Sequence, residues 1–126
     1  MIGVCKYCGQ TRATEAENKM EADKYAAENC DCMQARQERE LTRRIESAKE
    51  RLIELVGDDC EKYGFEPIED GRTIDFLKQL IERVARSDMN VASISLVGNT
   101  RITIKKGSKG QLKVGRSESR SYEMEE

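Results

Sequence analysis

Four cysteines carry the clearest chemistry in this chain. Cys5 and Cys8 are two residues apart in CKYCGQ, and Cys30 and Cys32 are one residue apart in ENCDC. Close pairs of thiolates hold metal ions, and four of them form a closed tetrahedral cage with no open position for substrate or water. The sequence therefore predicts a structural Zn²⁺ ion on Cys5, Cys8, Cys30 and Cys32, with iron in the same four-sulfur cage as the next candidate. Gly9, directly after Cys8, suits the tight turn of a knuckle. Cys32 falls where a long helix should begin, and a helix N-terminus favours thiolate over thiol. Two other uses of the pairs compete. One is a redox-active dithiol at Cys5 and Cys8, although no strand–helix–strand pattern surrounds them. The other is simple burial, as expected for Cys60, which reads as a small hydrophobe.

The elements that must position these cysteines follow from local pattern. Residues 1–12 are short and turn-prone. A helix is expected from Thr14 to Asn29, with Thr14 as cap, Glu17 at the capping-box spacing and Asn29 as stop. From about Met33 to Val56, Leu41, Ile45, Ala48, Leu52 and Leu55 recur at intervals of three and four, an amphipathic helix with a heptad-like seam. Gly57 ends it. After a connector holding the lone proline, Pro67, a second amphipathic helix begins near Thr73 with Ile74, Leu77, Leu80, Ile81 and Val84 on one face.

The pattern then changes period. VASISLV alternates, GN signals a hairpin, TRITIKK alternates again, GSKG turns, and QLKV supplies a third strand. The fold class expected is α+β: a four-cysteine module, a long charged helix, a second amphipathic helix and a three-stranded antiparallel meander. The helical pair should dock on the face carrying Ile94, Leu96, Ile102, Ile104, Leu112 and Val114. The expected divisions are a zinc module over 1–34, a helical hairpin with meander over 35–117, and a polar, acidic, mobile tail over 118–126.

Composition limits the functions open to such a chain. Charged residues make up 37% of its 126 residues and aromatics 5%, and there is no histidine. That removes the commonest general base. No phosphate-binding loop or nucleophile elbow is present, since KKGSKG lacks a strand–loop–helix setting. The carboxylates alternate with Lys and Arg, as on a solvated surface. The chain is expected not to be an enzyme. It has neither a basic start leading into an apolar run nor any stretch near 18 apolar residues, which predicts a cytoplasmic protein with no membrane partner.

Charge is unevenly placed. Between Arg101 and Arg120 seven basic residues face one acid, Glu118, in a chain of net charge -2. Arg101, Lys105, Lys106, Lys109, Lys113 and Arg116 are thus candidate phosphate-binding residues on a basic hairpin, and nucleic acid is a candidate partner. The competing use of these cations is to keep sheet edges from pairing. The seam of Leu41, Ile45, Leu52 and Leu55 is a candidate interaction surface for a protein partner or for a homodimer through helix 33–56, with packing inside a monomer as its alternative.

CKYCGQ resembles the first knuckle of zinc-ribbon and related zinc-finger modules, although CDC is tighter than their usual second pair. The order of knuckle, CDC, charged helix, second helix and meander resembles small proteins of prophages and other mobile elements. That resemblance implies an accessory or host-interaction role. The function expected is that of a small non-enzymatic zinc protein, phage accessory or regulatory in kind, acting by binding a macromolecule.

Overall fold

The structure is a computed structural model that describes residues 1–118. Its elements are β1 (Ile2–Val4), β2 (Thr11–Ala13), α1 (Lys19–Glu28), α2 (Met33–Val56), a 3-10 helix (Asp58–Tyr63), α3 (Gly71–Arg86), β3 (Val91–Leu96), β4 (Thr100–Lys106) and β5 (Leu112–Glu118). The class is α+β, with an antiparallel sheet in the order β3-β4-β5 and a small N-terminal hairpin of β1 and β2. The chain forms two compact units, one ending at Arg43 and one beginning at Arg44. Among the described residues no helix is long and apolar enough to cross a membrane.

In the first unit, the turn-prone stretch expected over 1–12 is a β-hairpin that pairs Ile2 with Ala13 and Val4 with Thr11. This displaces the expected helix start. Thr14 closes the hairpin, donating its N–H and hydroxyl to the Met1 carbonyl at 2.8 and 3.0 Å, and its Oγ1 accepts the Ala16 N–H at 3.2 Å in a local turn ahead of the helix. Asn18 caps α1 instead, its Oδ1 accepting the Glu21 N–H at 2.9 Å. Asn29 ends the helix as expected, donating its backbone N–H to the Tyr25 carbonyl. The small face of α1, Ala22, Ala26 and Ala27, is buried. Its approach to β1 is so close that a Cβ on Gly3 would lie 1.9 Å from the Ala22 carbonyl oxygen.

The second unit has one apolar core. Ile45, Ala48, Leu52 and Val56 of α2 are buried, as are Leu77, Ile81 and Val84 of α3 and Ile102 and Ile104 of β4. Ile68, just before α3, donates its N–H to the Val56 carbonyl, and Lys49 meets Glu82 near the other end of α3 at 3.9 Å. The two helices therefore run antiparallel, and α3 lies against β3 and β4. Asp70 rather than Thr73 caps α3: its Oδ1 accepts the Arg72 N–H, and its Oδ2 accepts the Thr73 hydroxyl. Thr73 thus contributes as a donor within the first turn.

The meander has the alternation that its sequence predicts, with Ile94 opposite Ile102 and Ile104 opposite Val114. Its first turn is a three-residue loop, Val97 to Asn99, because Leu96 pairs with Thr100. Gly98 and Asn99 both take the left-handed conformation there, at φ 84° and 62°. The third strand runs past QLKV to Glu118, so the first residue of the expected tail belongs to the sheet. The rest of that tail lies outside the described residues.

Candidate metal centre

The knuckle is built on the β1–β2 hairpin. Cys5 follows β1 directly; its N–H donates to the Gln10 carbonyl at 2.9 Å, and its carbonyl accepts the Gly9 N–H at 2.8 Å. Closing so small a loop needs a left-handed residue, and Gly9 supplies it at φ 77°. The second pair occupies the bend between helices. Cys30 follows the cap of α1, and Cys32 is the residue before α2, where its sulfur accepts the Ala35 N–H at 3.4 Å. Cys32 therefore acts as the sulfur cap of the long helix, which is the favourable end for negative charge.

The four sulfurs converge. Cys8 Sγ lies 3.4 Å from Cys30 Sγ, Cys5 Sγ lies 3.9 Å from Cys32 Sγ, and all four lie within 4.8 Å of one another. A disulfide needs about 2.05 Å, so no pair is bonded. A tetrahedron of sulfurs at about 2.3 Å from a central ion has edges of about 3.8 Å. These contacts of 3.4 and 3.9 Å bracket that edge, and each joins the knuckle to the second pair. Four cysteines so placed can hold one metal ion. Cys5 and Cys30 are buried with Ala27 and Ala35, packed against by Tyr7 and Cys32, whereas Cys8 is exposed.

Ionisation of the cluster is uneven. Burial opposes a thiolate at Cys5, but backbone N–H groups at Tyr7 and Cys8, with the neighbouring thiols, draw its pKa down to about 7. At Cys8 the Gln10 backbone favours the thiolate, yet Cys30, burial, Cys5 and Cys32 push the pKa up to about 12. One negative charge is easily accommodated here. Four require a cation among them.

Two residues that the sequence did not flag hold the site together. Arg39, one and a half turns into α2, donates through Nη1 to the carbonyls of Cys30 at 2.7 Å and Glu28 at 2.8 Å, with Ala27 at 3.5 Å. It thereby ties the last carbonyls of α1 and the CDC bend to α2. Asp23 accepts the Val4 N–H at 2.8 Å and pairs with Lys19 at 3.0 Å, tying α1 to the strand that delivers Cys5. No short-range pattern marks either role.

The other expected sites are spread over the second unit and the helix seam. Cys60 is fully buried, its thiol 3.5 Å from the Phe65 carbonyl, and takes no part in the cluster. Of the seam, Ile45 and Leu52 are buried within the chain and Leu41 and Leu55 are half-buried. The six basic candidates divide. Arg101, Lys105 and Lys113 are exposed on one face of the sheet. Lys106 donates to the Ser87 carbonyl, and Lys109 lies in the β4–β5 turn. Arg116 is turned inward: its side chain is 3% exposed, lies 4.7 Å over the Phe65 ring and donates to the carbonyls of Leu55 and Glu66. The sequence makes it one of the phosphate-binding candidates, but the β5 register sets it opposite Ile102, on the face of Leu112 and Val114.

No protein-family model, no curated protein and no solved structure matches this chain. What the cysteines and their geometry support is a metal-binding module.

Proposed function

We propose that Cys5, Cys8, Cys30 and Cys32 hold one structural zinc ion, and that the chain is a non-enzymatic protein acting by binding a macromolecule. The carrying observation is the sulfur arrangement, with contacts of 3.4 and 3.9 Å around a common centre. Zinc is the closed-shell ion that four thiolates hold most commonly without redox chemistry. A cage completed by four protein ligands leaves no position for a reacting water. The absence of histidine from the whole chain favours the same conclusion.

Zinc here has a structural task. The first unit buries few large apolar side chains, its core being Ala22, Ala26, Ala27, Ala35 and two cysteines. Metal coordination supplies the missing stabilisation, because ligands that converge only in the folded state convert binding energy into folding energy.

The test is a zinc count on wild type and on Cys8→Ser, both purified without added metal. Cys8 is exposed, so its replacement disturbs little packing. Wild type should carry one zinc per chain, and the variant should lose most of it to a mild chelator. Equal zinc in both proteins would remove Cys8 from the site. A redox dithiol would instead leave metal-free wild type whose mass falls by 2 Da on oxidation.

A further inference from the structure

Among the described residues, the solvent face of the meander carries three cations and no acid. Arg101 and Lys105 on β4 and Lys113 on β5 are exposed, and among the described residues none makes an ion pair or a hydrogen bond. Lys105 and Lys113 are directly opposite in the register. Like charges in that relation repel across about 5 Å and weaken a sheet. A change of sign at either lysine would have relieved this, yet the pairing stands in a chain with more acids than bases.

The groups between the cations are small and polar. Thr103 pairs with Gly115, and Arg101 pairs with Ser117 on one side and Ser95 on the other. A shallow depression of about 270 Å³ lies over this part of the face, lined by Thr103, Lys105, Lys113, Gly115 and Ser117 among others. Cations flanking hydroxyl donors over a glycine floor make a surface that an anionic chain can approach closely.

We infer that this face of the sheet contacts the phosphate backbone of double-stranded nucleic acid, through Arg101, Lys105 and Lys113, without reading sequence. This names the partner chemistry for the binding role proposed above and rests on it. A protein interface would present aromatic or aliphatic anchors at its centre. Among the described residues this side of the sheet offers only Val91 and, in the β3–β4 turn, Val97, at 54% and 101% exposed and both outside the group of three cations. With no aromatic side chain among the three cations there is nothing for unstacked bases to lie on, which favours a duplex over a single strand. The inward turn of Arg116, the carbonyl bond of Lys106 and the position of Lys109 in the β4–β5 turn, off the strands, leave a contact of three charges on this face, smaller than the six that the sequence suggested.

Fluorescence anisotropy of a labelled 20-base-pair DNA duplex, titrated with the full chain over a range of salt, tests this. Three phosphate contacts predict a log–log salt slope of about −2.7. Lys105→Gln and Lys113→Gln should each weaken binding several-fold and reduce the slope by about one unit. Lys24→Gln on α1 should change neither. Circular dichroism and zinc content on the same samples keep folding and the metal assignment separate from the outcome. The inference is overturned by no binding at low salt, by binding that ignores both lysine variants, or by equal binding to polyglutamate. The last result would preserve a binding role while moving the partner to an acidic protein. Aggregation of the lysine variants without any duplex binding would likewise overturn it, and would assign the cations to protection of the sheet.

Discussion

At the scale of single residues, the metal centre depends on groups that hold its ligands as much as on the sulfurs. Arg39 is the main one, because a single guanidinium nitrogen bonds the carbonyls of both Cys30 and Glu28. Groups that orient ligands from behind typically change metal affinity by 10–100-fold. Arg39→Ala should therefore weaken zinc retention by about tenfold in a competition with a chromophoric chelator, while leaving the four sulfurs in place. Asp23 gives a pH signature. The Val4 N–H and then Lys19 hold its carboxyl below the ordinary value of 3.8. A group depressed in the folded state stabilises fully above its unfolded pKa and loses that contribution as pH falls through the folded one. Exchange of the Val4 amide should therefore accelerate as pH drops below about 3.8, relative to a reference such as Ile104 in β4. Asp23→Ala should show the faster exchange already at neutral pH. The cysteines were legible in the sequence because their chemistry lies in type and spacing. Arg39 and Asp23 were not, because their partners are backbone groups 9–19 residues away that only the fold brings near.

At the scale of elements, period and apolar content located α2, α3 and all three strands of the meander. Those segments bury one continuous face, so the pattern is written into many residues at once. The ends were harder to read. Thr14 and Thr73 both satisfy the local rules for a cap, yet Thr14 is engaged by the hairpin and Asp70 reaches the α3 N-terminus first. The β1–β2 hairpin has three-residue strands with little alternation, and its reason for forming is Cys5 and the close seat of α1. That seat gives a sharp prediction. Gly3→Ala would push a methyl group into the Ala22 carbonyl, at a distance of 1.9 Å, so α1 must leave β1. Amide exchange across residues 1–32 should rise strongly and zinc should be lost, with the second unit unaffected. In that second unit Leu52 is fully buried in the α2–α3 core. Leu52→Ala should cost about 2–5 kcal/mol in equilibrium denaturation. A loss that depended on protein concentration would reassign the seam to an interface between chains.

At the scale of the whole molecule, two units stabilised by different means share one chain. The unit from Arg44 onward rests on an aliphatic core of Ile, Leu and Val, and the unit up to Arg43 on alanines and four converging thiols. Stripping metal with a chelator should therefore loosen residues 1–32 and leave the helix–sheet core protected from exchange. The central claim is that the cysteine cluster is a zinc site, and native mass spectrometry of the chain purified without added metal weighs it directly. One zinc per chain, retained in wild type and missing from Cys8→Ser, is the predicted result. A metal-free mass, with the thiols free or paired as disulfides, would contradict it.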